Sequence, residues 1–83
     1  MAYTIKGLAK ANGNYDESFS PECNLASVWD DWLTCNCCDK QSIRDFLRLR
    51  KKDRVQMLVW LKENYESSAW DTLLNHLLPH IYD

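Results

Sequence analysis

From Ser20 onward, apolar residues return every three or four positions, in runs divided by short polar stretches. That period is the mark of helices that bury one face. The first run opens at Ser20-Pro21-Glu22, where each residue has a physical reason to start a helix. The serine hydroxyl accepts an amide that the first turn leaves unpaired, proline has no amide to leave unpaired there, and glutamate meets the positive end of the dipole. Leu25, Val28, Trp29, Trp32 and Leu33 share one face and predict a helix to about Cys35, with a break at Asn36-Cys37-Cys38-Asp39.

Asp39 or Ser42 opens the next helix, and Ser42 with Asp45 has the spacing of a capping box. Ile43, Phe46 and Leu47 give this helix its apolar face, with Leu49 near its end. Asp53 falls in the first turn of a third helix. There Val55, Met57, Leu58, Val59, Trp60 and Leu61 cover most of the circumference, the pattern of a central helix buried on nearly all sides. Asn64-Tyr65-Glu66-Ser67 reads as a connection. Ser68 and Asp71 then repeat the capping-box spacing ahead of the cleanest stripe in the chain, Trp70, Leu73, Leu74, Leu77, Leu78 and Ile81. Pro79 removes an amide and crowds the preceding turn, which predicts an end near Leu78.

Residues 1–19 are less regular. Tyr3-Thr4-Ile5 has weak strand character and Asn12-Gly13-Asn14 is a turn signal, which together suggest a hairpin. Thr4 to Ala11 also reads as a short helix, since Ile5, Leu8 and Ala9 share a face and Gly13 stands just past its end. The hairpin or irregular form is the favoured one. The expected fold is therefore all-α: a compact bundle of about four short helices over 20–83, with a short irregular or hairpin extension over 1–19, in a single domain 1–83.

Composition agrees with that picture. A core uses nearly all of an 83-residue chain, which leaves no room for a second domain. Two glycines and two prolines exclude collagen-like or low-complexity structure. The longest apolar run, Met57 to Leu61, is far short of the roughly 20 residues that span a bilayer. Met1 to Gly7 lacks the apolar core of a signal peptide. A cytoplasmic location is the expectation, with no membrane partner and the four cysteines as thiols.

The charge distribution is the more informative feature. Lys40, Arg44, Arg48, Arg50, Lys51, Lys52 and Arg54 face only Asp45 and Asp53 within their segment, so fifteen residues carry +5 and the remainder of a chain of net charge −2 carries −7. Lys40, Arg44 and Arg48 are four apart and form a stripe on one side of their helix. Such a patch suits an acidic protein surface or nucleic-acid phosphates. A plain reading stands beside these: cations at a helix C-terminus offset the dipole, and exposed ones solvate a face. Against nucleic acid stand the acidic remainder and the lack of a glycine in the basic turn of what would be a helix-turn-helix.

Cys35, Cys37 and Cys38 with His76 or His80 are the candidates for a structural zinc, though neither the C-x-C-C spacing nor the His pair around Pro79 matches a familiar ligand pattern. Cys23 stands about 18 Å from Cys35 along the predicted helix, too far to share a metal with it. No cofactor is expected. The chain has no phosphate-binding glycine loop, no nucleophile elbow and too little bulk to wall off a substrate pocket, so catalysis is not expected either. Four tryptophans exceed what four short helices enclose, so at least one should be partly exposed, and Tyr65 and Tyr82 join them as interface candidates.

The leading expectation is a non-catalytic module that binds a larger protein or complex with an acidic surface. It would use Lys40, Arg44, Arg48, Arg50, Lys51, Lys52, Arg54 and Tyr65 and act by surface occlusion, as a monomer or homodimer. No residue string carries the signature of a particular family. Small, cysteine-containing, motif-poor helical proteins of this sort include inhibitors encoded by phages and mobile elements, anti-CRISPR proteins among them, and a role of that type is the expectation. The alternatives are a nucleic-acid-binding regulator using Lys40–Arg54, and a zinc-stabilised interaction module.

Overall fold

The computed structural model describes residues 2–35 and 39–83, and these form five α-helices and one turn of 3-10 helix. The helices are α1 (Ile5–Ala11), α2 (Pro21–Cys35), α3 (Asp39–Arg48), α4 (Lys51–Asn64) and α5 (Ser67–Leu77), and the 3-10 turn is Leu78–His80. No strand occurs among the described residues. The nearest thing to one is an isolated parallel bridge between Tyr3 and Leu49.

The all-α expectation holds, with five helices in place of four. The additional one is α1, where the hairpin reading fails. The Thr4 hydroxyl accepts the Gly7 amide at 3.0 Å and caps the first turn. A side chain at Gly7 would press on that same hydroxyl. Gly13 ends the segment with φ +86°, a conformation that glycine adopts without strain. Ile5, Leu8 and Ala9 are buried in the same core as the other helices.

The start of α2 follows the sequence: the Cys23 amide donates to the Ser20 hydroxyl at 3.1 Å. It is α2, not α4, that occupies the centre, for it packs against α1, α3, α4 and α5. Its Trp29 is completely buried and meets Phe46 edge to face, with ring centroids 6.3 Å apart. In α4 only one side is buried, through Met57, Leu58 and Leu61, while Val55 and Val59 are each 45% exposed. Neither expected capping box forms. Ser42 lies inside α3, fully buried, and α5 starts two residues earlier than a Ser68 cap implies, at Ser67 with Glu66 as the N-cap. Pro79 does stop α5, and the chain continues for one 3-10 turn that leaves Leu78 exposed. Trp60 and Trp70 are the partly exposed indoles.

Both ends of the described chain are tied to the α3–α4 junction. The Tyr3 amide donates to the Arg48 carbonyl at 2.7 Å, and the Arg50 amide donates to the Tyr3 carbonyl at 2.9 Å. Asp53 accepts the Ile5 amide at 3.3 Å and the Arg50 Nε at 2.6 Å. From the other side, the Arg54 guanidinium donates to five main-chain oxygens. Nε reaches Leu49 at 3.0 Å, Nη2 reaches Leu47 at 2.9 Å, and Nη1 reaches His80, Ile81 and Asp83 at 3.0, 3.2 and 2.8 Å. Arg54 is only 6% exposed and pairs with no side-chain carboxylate among the described residues. Its charge is met by main-chain oxygens at the end of α3 and around the 3-10 turn, where helices present their negative poles.

Replacing Arg54 by methionine keeps the bulk but leaves these oxygens without a donor. The expected loss is about 1–3 kcal/mol of unfolding free energy, read from urea denaturation. Arg54→Lys, which has fewer and differently placed donors, should fall between the two. Arg44→Ala, on the surface, should stay within about 0.5 kcal/mol of wild type.

Candidate interaction surface

The basic segment divides into cations committed to the fold and cations that are not. Arg54 belongs wholly to the first group and is withdrawn from the partner-facing set that the sequence suggests. Arg50 is exposed at the N-cap of α4, but its Nε is held by Asp53. Arg48 is half-buried, with its guanidinium 5.0 Å from the Tyr3 ring and Nη1 3.5 Å from the Asp45 carboxylate. Asp45 is 1% exposed and has no hydrogen-bond partner among the described residues, so Arg48 is the cation that offsets it. Tyr65, also named from sequence, turns inward: its hydroxyl donates to Asp30 and its ring packs edge to face with Trp60. Burial, together with the adjacent Asp30 carboxylate, pushes the Tyr65 phenol well above its usual pKa and keeps it a donor.

Lys40, Arg44, Lys51 and Lys52 remain. All four are exposed and none forms an ion pair among the described residues. The positions of the three lysines run against helix stability. Lys51 and Lys52 open α4 and Lys40 is the second residue of α3, each near a positive dipole end where acidic residues are preferred. Offsetting a C-terminal dipole therefore does not explain them. Beside them on α3, Ile43 is half-buried and Leu47 is 36% exposed, and Lys40, Ile43, Arg44, Leu47 and Arg48 line an open groove of about 480 Å³. The surface is an apolar strip rimmed by positive charge.

The inner side of α3 holds a polar joint that periodicity did not disclose. The Ser42 Oγ lies 2.5 Å from the His76 Nε2, the His76 ring stacks on Trp32 with centroids 3.8 Å apart and planes 11° apart, and the Trp32 indole donates to the Asp39 carboxylate. The serine–histidine pair is not arranged as a nucleophile and base. Ser42 is fully buried, its hydroxyl also donates to the Asp39 carbonyl at 3.0 Å, and the Asp39 carboxylate is taken up by Trp32 rather than by the imidazole. The contact joins α3 to α5 and α2 and so fixes which side of α3 faces out.

Of the zinc candidates, Cys37 and Cys38 lie outside the described residues. Among the described ones, no cluster of three or more His, Cys, Asp or Glu side chains is placed to hold a metal ion. His76 is engaged with Ser42 and Trp32, and His80 Nδ1 lies 2.8 Å from Asp83. Cys35 ends α2 at the surface. No described helix is long and apolar enough to cross a membrane. Comparison with protein families, with curated proteins and with solved structures finds no match to this chain.

Burial lowers the pKa of His76 below its ordinary 6.5; His80 adds to the effect and Asp39 opposes it. The unfolded chain then binds a proton at a pH where the folded one does not. The stability that goes with the neutral ring is complete above about pH 6.5 and is lost as pH falls below it. The urea midpoint should drop between about pH 7.5 and 5.5, in the range where histidine titrates, and His76→Gln should show a shallower drop over the same interval.

Proposed function

We propose that this protein is a non-catalytic binding module that docks on an acidic face of a larger protein, through Lys40, Arg44 and Arg48 around the Ile43–Leu47 strip, with Lys51 and Lys52 at the start of α4 adding to the positive charge. The observation that supports this most is the placement of Lys40, Lys51 and Lys52 near the positive poles of α3 and α4, without ion pairs among the described residues. Local stability offers no return for that arrangement, whereas a partner carboxylate does, by Coulomb attraction that also steers the encounter. The apolar strip favours a protein over a phosphate backbone, which has nothing to place on Ile43 and Leu47. The −7 carried outside the segment adds repulsion toward polyanions. Once docked, the module covers that face and denies it to other ligands, so occlusion is its mode of action.

The test is affinity capture from the source cell with the wild-type chain and with a Lys40→Glu/Arg44→Glu double variant whose circular-dichroism spectrum is unchanged. Recovery of the partner should fall at least about tenfold, as for loss of an interface's charged anchors. Undiminished recovery would remove this surface from the account. Labelled DNA and RNA should show no binding even at about 50 mM salt, where phosphate contacts are strongest. Tight binding that collapses at higher salt would instead assign the cations to nucleic acid.

A further inference from the structure

The outer face of α3 carries two parallel rows of side chains at i, i+4 spacing, Lys40, Arg44 and Arg48 in one and Ile43 and Leu47 in the other. Among the described residues, the groove of about 480 Å³ is bounded by these five, all on α3. Rows of this kind are the ridges of helix packing, and the groove between two of them is shaped for a ridge of a second helix crossing at roughly −50°. Members of a row stand about 6 Å apart, which is also the spacing of i, i+4 residues on any other helix. The inner face of α3 is already used by Ser42, Asp45 and Phe46, all buried, so the helix is held with its ridged face outward.

Resting on the reading of the basic surface above, we infer that the partner presents an amphipathic acidic helix. An apolar ridge of that helix lies in the α3 groove over Ile43 and Leu47. A row of glutamates or aspartates beside it faces Lys40 and Arg44, the two cations of this face without an ion pair among the described residues. Arg48, held by Tyr3 and Asp45, closes the far end of the groove. Charge complementarity selects an acidic occupant, and the two rows select a helix. An extended segment turns alternate residues away and offers a surface only one row. A nucleic-acid backbone offers charge without an apolar ridge.

The probe is a labelled synthetic peptide of about five helical turns, with leucines along one i, i+4 row and glutamates along the next. It is compared with a peptide of the same composition whose order is scrambled to break the rows. Fluorescence anisotropy gives affinity and amide chemical shifts of the full chain give the site. The patterned peptide should bind with a Kd of about 10–100 μM, as expected for a small interface, and shift amides within Lys40–Arg48. The scrambled peptide, and the variants Arg44→Glu and Leu47→Glu, should each weaken binding by about tenfold or more. Equal binding of the scrambled peptide, shifts that avoid α3, or displacement by duplex DNA would overturn the helix as occupant. If the peptide fails while Lys40→Glu/Arg44→Glu still loses its cellular partner, the helix falls and the acidic-surface reading stands. If that variant keeps its partner, the surface reading itself falls.

Discussion

A buried guanidinium held by main-chain oxygens organises this molecule. Arg54 is buried to 6% exposure and spends its donors on the main-chain oxygens of Leu47, Leu49, His80, Ile81 and Asp83. Burying a cation is costly unless hydrogen bonds replace its water. Two helix ends do so here, because unpaired carbonyls collect where helices stop. The same contacts satisfy main-chain oxygens that would otherwise be buried without donors. The end of α3, the start of α4 and the last turn of the chain are therefore solved together by one side chain.

The consequences spread outward from that junction. Leu49, fully buried between the two helices, is bridged to Tyr3, and Asp53 joins the first amide of α1 to Arg50. The Ser42–His76 contact sets the rotation of α3 from its inner side. A basic segment thereby performs two tasks. Arg48, Arg50 and Arg54 hold the scaffold, while Lys40, Arg44, Lys51 and Lys52 project from it, pre-organised on helices whose positions the first group fixes.

Much of the architecture was legible in the chain because helix period and caps are local signals. Ser20-Pro21-Glu22, the stop at Pro79 and the buried Leu73 and Leu77 of the α5 stripe appear as expected, while Leu78 lies past the helix and is exposed. Tertiary context decided the remainder. Tyr3 to Ile5 has both strand and helix character, and what chooses between them is docking on Leu49, 46 residues from Tyr3 in sequence. The apolar density of α4 suggested a central helix, yet Val55 and Val59 are exposed and α2 holds the centre, since burial depends on neighbours that a one-dimensional pattern does not show. Arg54 looked like its basic neighbours, because no local feature distinguishes an arginine that will find carbonyls from one that will find water. The one available hint was that its segment joins two helices, where carbonyls lack partners.

The α3–α4 corner binds the C-terminal turn through Arg54 and the N-terminus through the Tyr3–Leu49 bridge, and native-state hydrogen exchange reads whether that bridge opens only with the whole fold. The amides of Tyr3 and Arg50, which hold the bridge at Leu49, should exchange with the same opening free energy as the amides of Trp29 and Met57 in the core, because the bridge opens only when the fold does. Tyr3 and Arg50 exchanging at the rate of a frayed terminus, while Trp29 and Met57 stay protected, would show that the N-terminus is not held by this corner and would contradict the account.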